Sequence, residues 1–126
     1  MMDYNYAKMP INNESDLVHA RLRVRESARR IGMTLMDQSR ISMATSSLAN
    51  ALGLGLDERS LGYVTIEKVF DQGRIGLRVT CSRSNSDGYT PPLSYFSNER
   101  WMVDELELHS SNPDEVEVSL TKWVSF

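Results

Sequence analysis

This sequence has a single cysteine and lacks both excess basic charge and long apolar runs. Cys81 is the only cysteine, so the chain forms no internal disulfide. The N-terminus has neither the basic start nor the apolar stretch of a secretory signal, and no apolar run approaches the roughly 20 residues that span a bilayer. These absences argue against a disulfide-rich secreted domain and an integral membrane protein, and they predict a soluble protein of the reducing cytoplasm.

The charge and composition are those of one ordinary globular domain. With a net charge of −3, the chain has no general attraction for nucleic acid, so we expect no nucleic-acid partner. Its 126 residues, 40% of them hydrophobic and 25% charged, have room for one core and not for two. We expect a single domain over residues 1–126.

The reactive side chains do not form a recognisable catalytic or metal centre. His19 and His109 are far apart and lack Cys or carboxylate neighbours at metal-ligand spacing, so no metal site is predicted. Cys81 closes a predicted strand close to Arg83, but no histidine relay can be read nearby, and a structural thiol is expected.

The first half of the chain is predicted to form one strand and two helices. Residues 4–11 alternate bulky and polar side chains, which is typical of a strand. Ser15 is the predicted N-cap of a first helix that ends at Gly32, and a second helix is predicted from Asp37 to Gly53. Residues at helical spacing would face the core: Leu17, Ala20, Val24, Ala28 and Ile31 in the first helix, and Ile41, Ala44, Leu48 and Leu52 in the second.

The second half favours two hairpins around an irregular segment. Residues 63–70 and 75–81 flank the turn sequence Asp71-Gln72-Gly73. Residues 82–97 are rich in Ser, Asn and Pro and predict irregular structure before a short helix at 98–103, and residues 105–110 and 116–124 predict the closing hairpin. This order favours a two-layer α/β sandwich, with a mostly antiparallel mixed sheet and helices on one face.

Several short sequence motifs, in this order along the chain, also resemble those of a known family. They are Asp16-Leu17-Val18 and Ala20-Arg21 in the first helix, Gly32 after it, Asp37-Gln38, Arg40-Ile41 and Leu48-Ala49 in the second, Ile66-Glu67-Lys68-Val69 and Gly76-Leu77-Arg78-Val79 in the hairpin, Asp87-Gly88-Tyr89, and Met102-Val103-Asp104-Glu105-Leu106 with Leu120-Thr121-Lys122-Trp123-Val124 at the end. Over nearly its whole length the chain resembles the histidine-kinase-like (GHKL) ATPase domains of bacterial partner-switching systems, the serine kinases and anti-sigma factors of the RsbT and RsbW type. The resemblance implies a Bergerat-like fold with protein partners.

The resemblance also shows where the second helix departs from the family. There the family carries Glu-x-x-x-Asn, whose carboxylate acts as a base and whose Asn holds the magnesium of ATP. The matching positions here are Ser47 and Ala51, and neither can do this chemistry. Shifting the frame to use Asn50 pairs it with Ser46, which restores no base.

The two other nucleotide motifs of the family are replaced as well. The adenine motif Asp-x-Gly-x-Gly aligns with residues 82–86, which contain neither Asp nor Gly, although Asp87-Gly88 is a displaced alternative. The glycine-rich lid is missing: residues 90–100 contain two prolines, no glycine, and Glu99 where negative charge would repel phosphate.

From these replacements we expect a non-catalytic regulatory module with no catalytic residue, no cofactor and no bound ATP or magnesium. By resemblance, its partner would be a STAS-type switch protein, a PP2C-type phosphatase or a sigma factor. One alternative is an ATP-dependent serine/threonine kinase with a reworked nucleotide site, for which Ser47, Asn50 and Asp87 are the candidates. Another is a GHKL-like fold reused for a different small ligand.

Three surfaces are candidates for partner binding. Arg21, Arg25 and Arg29 recur every four residues on the first helix and predict either a docking face or a solvated helix face, and the second helix around Arg40 is a separate candidate. The segment that replaces the lid carries aromatic residues that would either fill the vacated nucleotide pocket or remain exposed as a contact surface: Tyr89, Tyr95, Phe96 and Trp101. The acidic C-terminal hairpin is opposite in sign to the first helix, so a homodimer is a further alternative.

Overall fold

Within the described part of the chain, five strands and three helices follow one another in the order predicted. The computed structural model describes residues 6–55, 62–84, 90–109 and 113–124. The elements are β1 (Tyr6–Ile11), α1 (Glu14–Arg30), α2 (Leu35–Ala51), β2 (Gly62–Asp71), β3 (Arg74–Ser84), a 3-10 turn (Leu93–Phe96), α3 (Ser97–Arg100), β4 (Glu105–His109) and β5 (Glu115–Trp123).

The strands form one sheet in the order β1-β2-β3-β5-β4. Each pairing in the described ranges is antiparallel, so the sheet is antiparallel and not mixed. Gln72 and Gly73 both have positive φ, 49° and 79°, as a two-residue hairpin turn requires, which confirms the predicted turn between β2 and β3. The predicted two-layer sandwich is confirmed.

The core lies between the helices and one face of the sheet. On β3, Val79 and Cys81 are fully buried, while Arg78 and Thr80 alternate with them and line the opposite, polar face. The predicted inward residues of α2 are buried as expected, and Ala20, Val24 and Ala28 of α1 face them. Helical and strand periodicity therefore placed the core correctly.

Both long helices begin slightly earlier than the sequence predicted. The side chain of Asn13, and not that of Ser15, caps α1 by accepting a hydrogen bond from the Asp16 amide at 2.9 Å. Thr34 caps α2 in the same way by accepting from the Asp37 amide at 3.1 Å. None of the helices in the described ranges is long and apolar enough to cross a bilayer.

The segment predicted to be irregular contains more strand than expected. β3 continues beyond Cys81 to Ser84, because Arg83 pairs with Gly62 of β2 on one side and Val116 of β5 on the other. The short helix α3 begins one residue earlier than predicted and makes one turn. The helix α3 packs against α2, and the candidate site lies at this contact.

Candidate functional site

Ser47 and Glu99 meet where α3 packs against α2. Ser47 lies beside the buried face of α2 and is half-buried. Its hydroxyl donates a hydrogen bond to Oε1 of Glu99, with 2.6 Å between the two oxygens. Glu99 is only 4% exposed, so this carboxylate has left bulk water. The contact joins residues 52 positions apart in the chain.

The second carboxylate oxygen of Glu99 accepts no hydrogen bond from the described residues. Oε2 is buried and finds no hydrogen-bond partner among the residues that the structure describes. A buried carboxylate normally has its oxygens satisfied, because desolvating an unpaired charge is unfavourable. The Ser47 hydroxyl is therefore the main polar support of a buried acid.

The aromatic residues of the lid-replacing segment divide between the core and the surface. Phe96 is fully buried in the core, and its ring meets that of Tyr95 edge-on, with 5.3 Å between centroids. Tyr95 and Trp101 are 56% and 89% exposed. Phe96 was wrongly included among the partner-contact candidates, since it has no exposed surface, whereas Tyr95 and Trp101 remain available. Tyr89 lies outside the described residues.

Among the residues that the structure describes, neither Asn50 nor Ser46 forms a side-chain hydrogen bond with Ser47 or Glu99. Asn50 is exposed on α2, and Ser46 is half-buried. Asp87 lies outside the described residues. Within the described ranges, no group of three or more His, Cys, Asp or Glu residues is placed to hold a metal ion.

The four predicted arginines are exposed on the outer side of α1 and α2. Arg21, Arg25 and Arg29 follow α1, and Arg40 lies on α2, where its Nη1 is 3.8 Å from Oδ1 of Asp37. The Ser42 hydroxyl donates to the Arg21 carbonyl at 3.5 Å, which joins the two helices side by side.

Apolar residues that the sequence reasoning missed lie among these arginines. They are Val18, Leu22, Leu35, Met36 and Met43, which are 44–73% exposed. The signal was present in the sequence, because Val18 and Leu22 are four residues apart but out of phase with the core-facing residues of α1. Together with the four arginines, these residues form what we call the α1–α2 outer surface.

Glu26 is the acidic residue that restrains one end of this surface. Its carboxylate accepts hydrogen bonds from Arg29 and from Arg30, and these bonds lower the pKa of Glu26 to about 2. Arg29 is thereby held in place, and the same bond raises the pKa of Arg29. Glu26 thus remains negatively charged at any physiological pH.

Comparison with known proteins agrees with the family resemblance. The chain is 28% identical to the serine/threonine-protein kinase RsbT of Bacillus subtilis (strain 168) over 127 residues. The aligned region covers 90% of this chain and 93% of the relative. No protein-family model matches the chain. Similarity over nearly the full length of both proteins supports a relationship to the serine kinases and anti-sigma factors of the RsbT and RsbW type.

A buried ion pair near the start of α2 was also missed. Nζ of Lys122 on β5 lies 3.5 Å from Oδ1 of Asp37, and the two residues are only 7% and 9% exposed. Asp104 Oδ1 is 4.0 Å from the same ammonium. Asp37 and Lys122 are far apart in the sequence, so no local pattern predicted their ion pair. From the sequence, Asp37 indicated only the start of a helix. The pair fixes α2 to the sheet.

The remaining reactive side chains do not contribute to the Ser47–Glu99 contact. Burial raises the pKa of the Cys81 thiol to about 12, so this thiol is structural, as predicted. On β4, Nε2 of His109 lies 3.1 Å from the Ser119 hydroxyl on the polar face of the sheet. His19 is exposed on α1.

Proposed function

We propose that this protein is a non-catalytic regulatory module of a partner-switching system, which acts by docking another protein. The observation that carries the proposal is the Ser47–Glu99 contact. By resemblance, Ser47 occupies the position of the catalytic carboxylate of the family. Its hydroxyl is already bonded to a buried acid from the chain's own lid-replacing segment.

The surroundings of this contact argue against ATP and magnesium as ligands. A phosphate charge 4 Å from the Glu99 carboxylate would be repelled by about 4 kcal/mol at an effective dielectric of about 20. The segment 90–100 also contains no glycine, and its two prolines have no amide hydrogen to donate to phosphate oxygens. The residues present do not fit the phosphate chain of a nucleotide.

The α1–α2 outer surface is the proposed docking site. Exposed apolar side chains supply area that a partner can bury, and the arginines around them favour an acidic partner. RsbT is a serine/threonine kinase by name. The family resemblance seen in the sequence suggests three partner classes: a STAS-type switch protein, a PP2C-type phosphatase or a sigma factor. Tyr95 and Trp101 offer a second, aromatic contact.

Calorimetric titration with ATP and with ADP, each with magnesium, tests the non-catalytic part. The protein concentration must be high enough to detect a dissociation constant of about 100 μM, which corresponds to about −5.5 kcal/mol. We expect no saturable heat and no thermal stabilisation. Saturable, magnesium-dependent binding would contradict this part of the proposal.

Charge reversal on α1 tests the docking part with purified partners of the three classes from the same organism. We expect one of them to bind, and Arg25→Glu to weaken that binding about ten-fold or more. Arg23→Glu is the matched control, since it makes the same change on the same helix outside the α1–α2 outer surface. Equal losses in the two variants, or no binding by any partner, would contradict this docking site.

A second candidate function is phosphate transfer to a serine or threonine of a partner. One observation favours it, because Glu99 places a carboxylate within hydrogen-bond distance of a hydroxyl at the family's base position. This version expects magnesium-dependent phosphorylation that is lost in Glu99→Gln and Asn50→Ala. If labelled ATP transfers no phosphate to any of the three partners, this second candidate function is excluded.

A further inference from the structure

A cleft separate from both proposed sites opens between α1 and the β1–β2–β3 side of the sheet. Its volume is about 350 Å³, within the usual range for small-molecule sites. At about 30 Å³ per water molecule, it has room for a ligand of roughly a dozen non-hydrogen atoms. The side chains of Ile66 and Leu77 form part of its apolar floor.

Basic side chains from two different elements line the cleft beside these apolar residues. Arg23 and Arg30 come from α1, and Lys68 comes from β2. Glu26 is the acidic residue of the lining, and its carboxylate already accepts hydrogen bonds from Arg29 and Arg30. The lining therefore carries a positive excess above an apolar surface.

Two of these cations have no acidic partner in the part of the chain that the structure describes. Arg23 forms no ion pair there, and the Lys68 ammonium lies 5.3 Å from the centre of the Phe70 ring without a carboxylate. An anion that entered the cleft would gain charge-assisted hydrogen bonds from Arg23 and Lys68 without breaking an existing ion pair of either.

We infer that this cleft binds a small amphiphilic anion, in which a carboxylate head meets Arg23 and Lys68 and a short hydrocarbon part covers Ile66 and Leu77. The site is independent of the proposed docking function, since the α1–α2 outer surface uses other residues of α1. It is also independent of the Ser47–Glu99 contact on α2.

Octanoate is a suitable probe, because its ten non-hydrogen atoms match the size and chemistry of the cleft. Titration into ¹⁵N-labelled protein should shift the amide signals of Ser27 and Leu77 saturably. Octanol tests the tail without the charge, and acetate tests the charge without the tail. We expect octanol and acetate each to bind at least about ten-fold more weakly than octanoate.

The variant Arg23→Ala/Lys68→Ala should weaken octanoate binding about ten-fold or more. Arg21→Ala/Arg25→Ala removes the same number of exposed charges elsewhere and should leave binding within about two-fold. Ser27→Leu should block the cleft without removing a charge. Failure of octanoate to bind, equal binding of octanol, or unchanged binding in both Arg23→Ala/Lys68→Ala and Ser27→Leu would overturn the inference.

Discussion

Replacing Ser47 by alanine should destabilise the protein far more than the loss of an ordinary half-buried hydroxyl. The substitution removes the bond to Oε1 of Glu99, whose Oε2 already lacks a partner among the described residues. The result is a carboxylate that is 4% exposed and has no donor in that part of the chain. Leaving a buried carboxyl group without its hydrogen-bond donor costs about 2–3 kcal/mol of unfolding free energy, in the upper part of the range for buried polar groups.

For a domain of this length, such a loss lowers the melting temperature by roughly 8–11 °C. Urea unfolding, followed by the fluorescence of the largely buried Trp123, measures the free energy directly. Ser46→Ala is the matched control, since Ser46 is the adjacent half-buried serine on α2. We expect this control to lie within about 0.5 kcal/mol of the unmodified protein.

Glu99→Gln separates the charge from the hydrogen bond. The amide keeps the shape of the side chain and still accepts from Ser47, so stability should stay within about 1 kcal/mol or increase. In this background Ser47→Ala should cost only about 1 kcal/mol, which gives a coupling energy of about 1–2 kcal/mol. If Ser47→Ala and Ser46→Ala behave alike in both backgrounds, the Ser47–Glu99 contact does not support the buried charge.

Three further predictions concern burial and packing, and urea unfolding tests each of them. Phe96→Ala should remove about 3–5 kcal/mol of stability, because the Phe96 side chain is 0% exposed. Trp101→Ala should remove less than about 0.5 kcal/mol, because Trp101 is 89% exposed. Equal losses would contradict the assignment of Phe96 to the core and Trp101 to the surface. Gly76→Ala should cost about 1–3 kcal/mol, since its Cβ would lie 2.7 Å from Cε3 of Trp123, and an unchanged midpoint would contradict this packing. Burial raises the pKa of Cys81 from 9.0 to about 12, so between these pH values the thiol ionises only in the unfolded protein. The free energy of unfolding should therefore fall by about 1.4 kcal/mol per pH unit in this range. Cys81→Ala should remove that slope.

The fold could be predicted from the sequence because its periodicities are strong and mutually consistent. Errors occurred where neighbouring residues offered equivalent local chemistry, as when Asn13 rather than Ser15 capped α1. The end of β3 was missed for a different reason. Ser84 has no strand propensity of its own, and its pairing with Glu115 of β5 extends the strand through a tertiary contact.

The candidate site was only partly accessible to the same reasoning. The family resemblance marked Ser47 as a replaced residue, and Glu99 was noted only as a charge that would repel phosphate. Their hydrogen bond depends on how α3 packs on α2, which no local pattern encodes. Val18 and Leu22, by contrast, could have been recognised from sequence, because they lie off the core stripe of α1.

The two edge strands of the sheet limit how a partner can be recognised. On β1, Pro10 removes a backbone donor and Lys8 adds charge, while β4 is five residues long and carries Glu105 and Glu107. Prolines, charges and short length are the features that keep a sheet edge from accepting a foreign strand. A protein built this way offers partners little backbone to pair with by strand addition, so the proposed docking would depend on side chains, and those on the helices can change without disturbing the sheet.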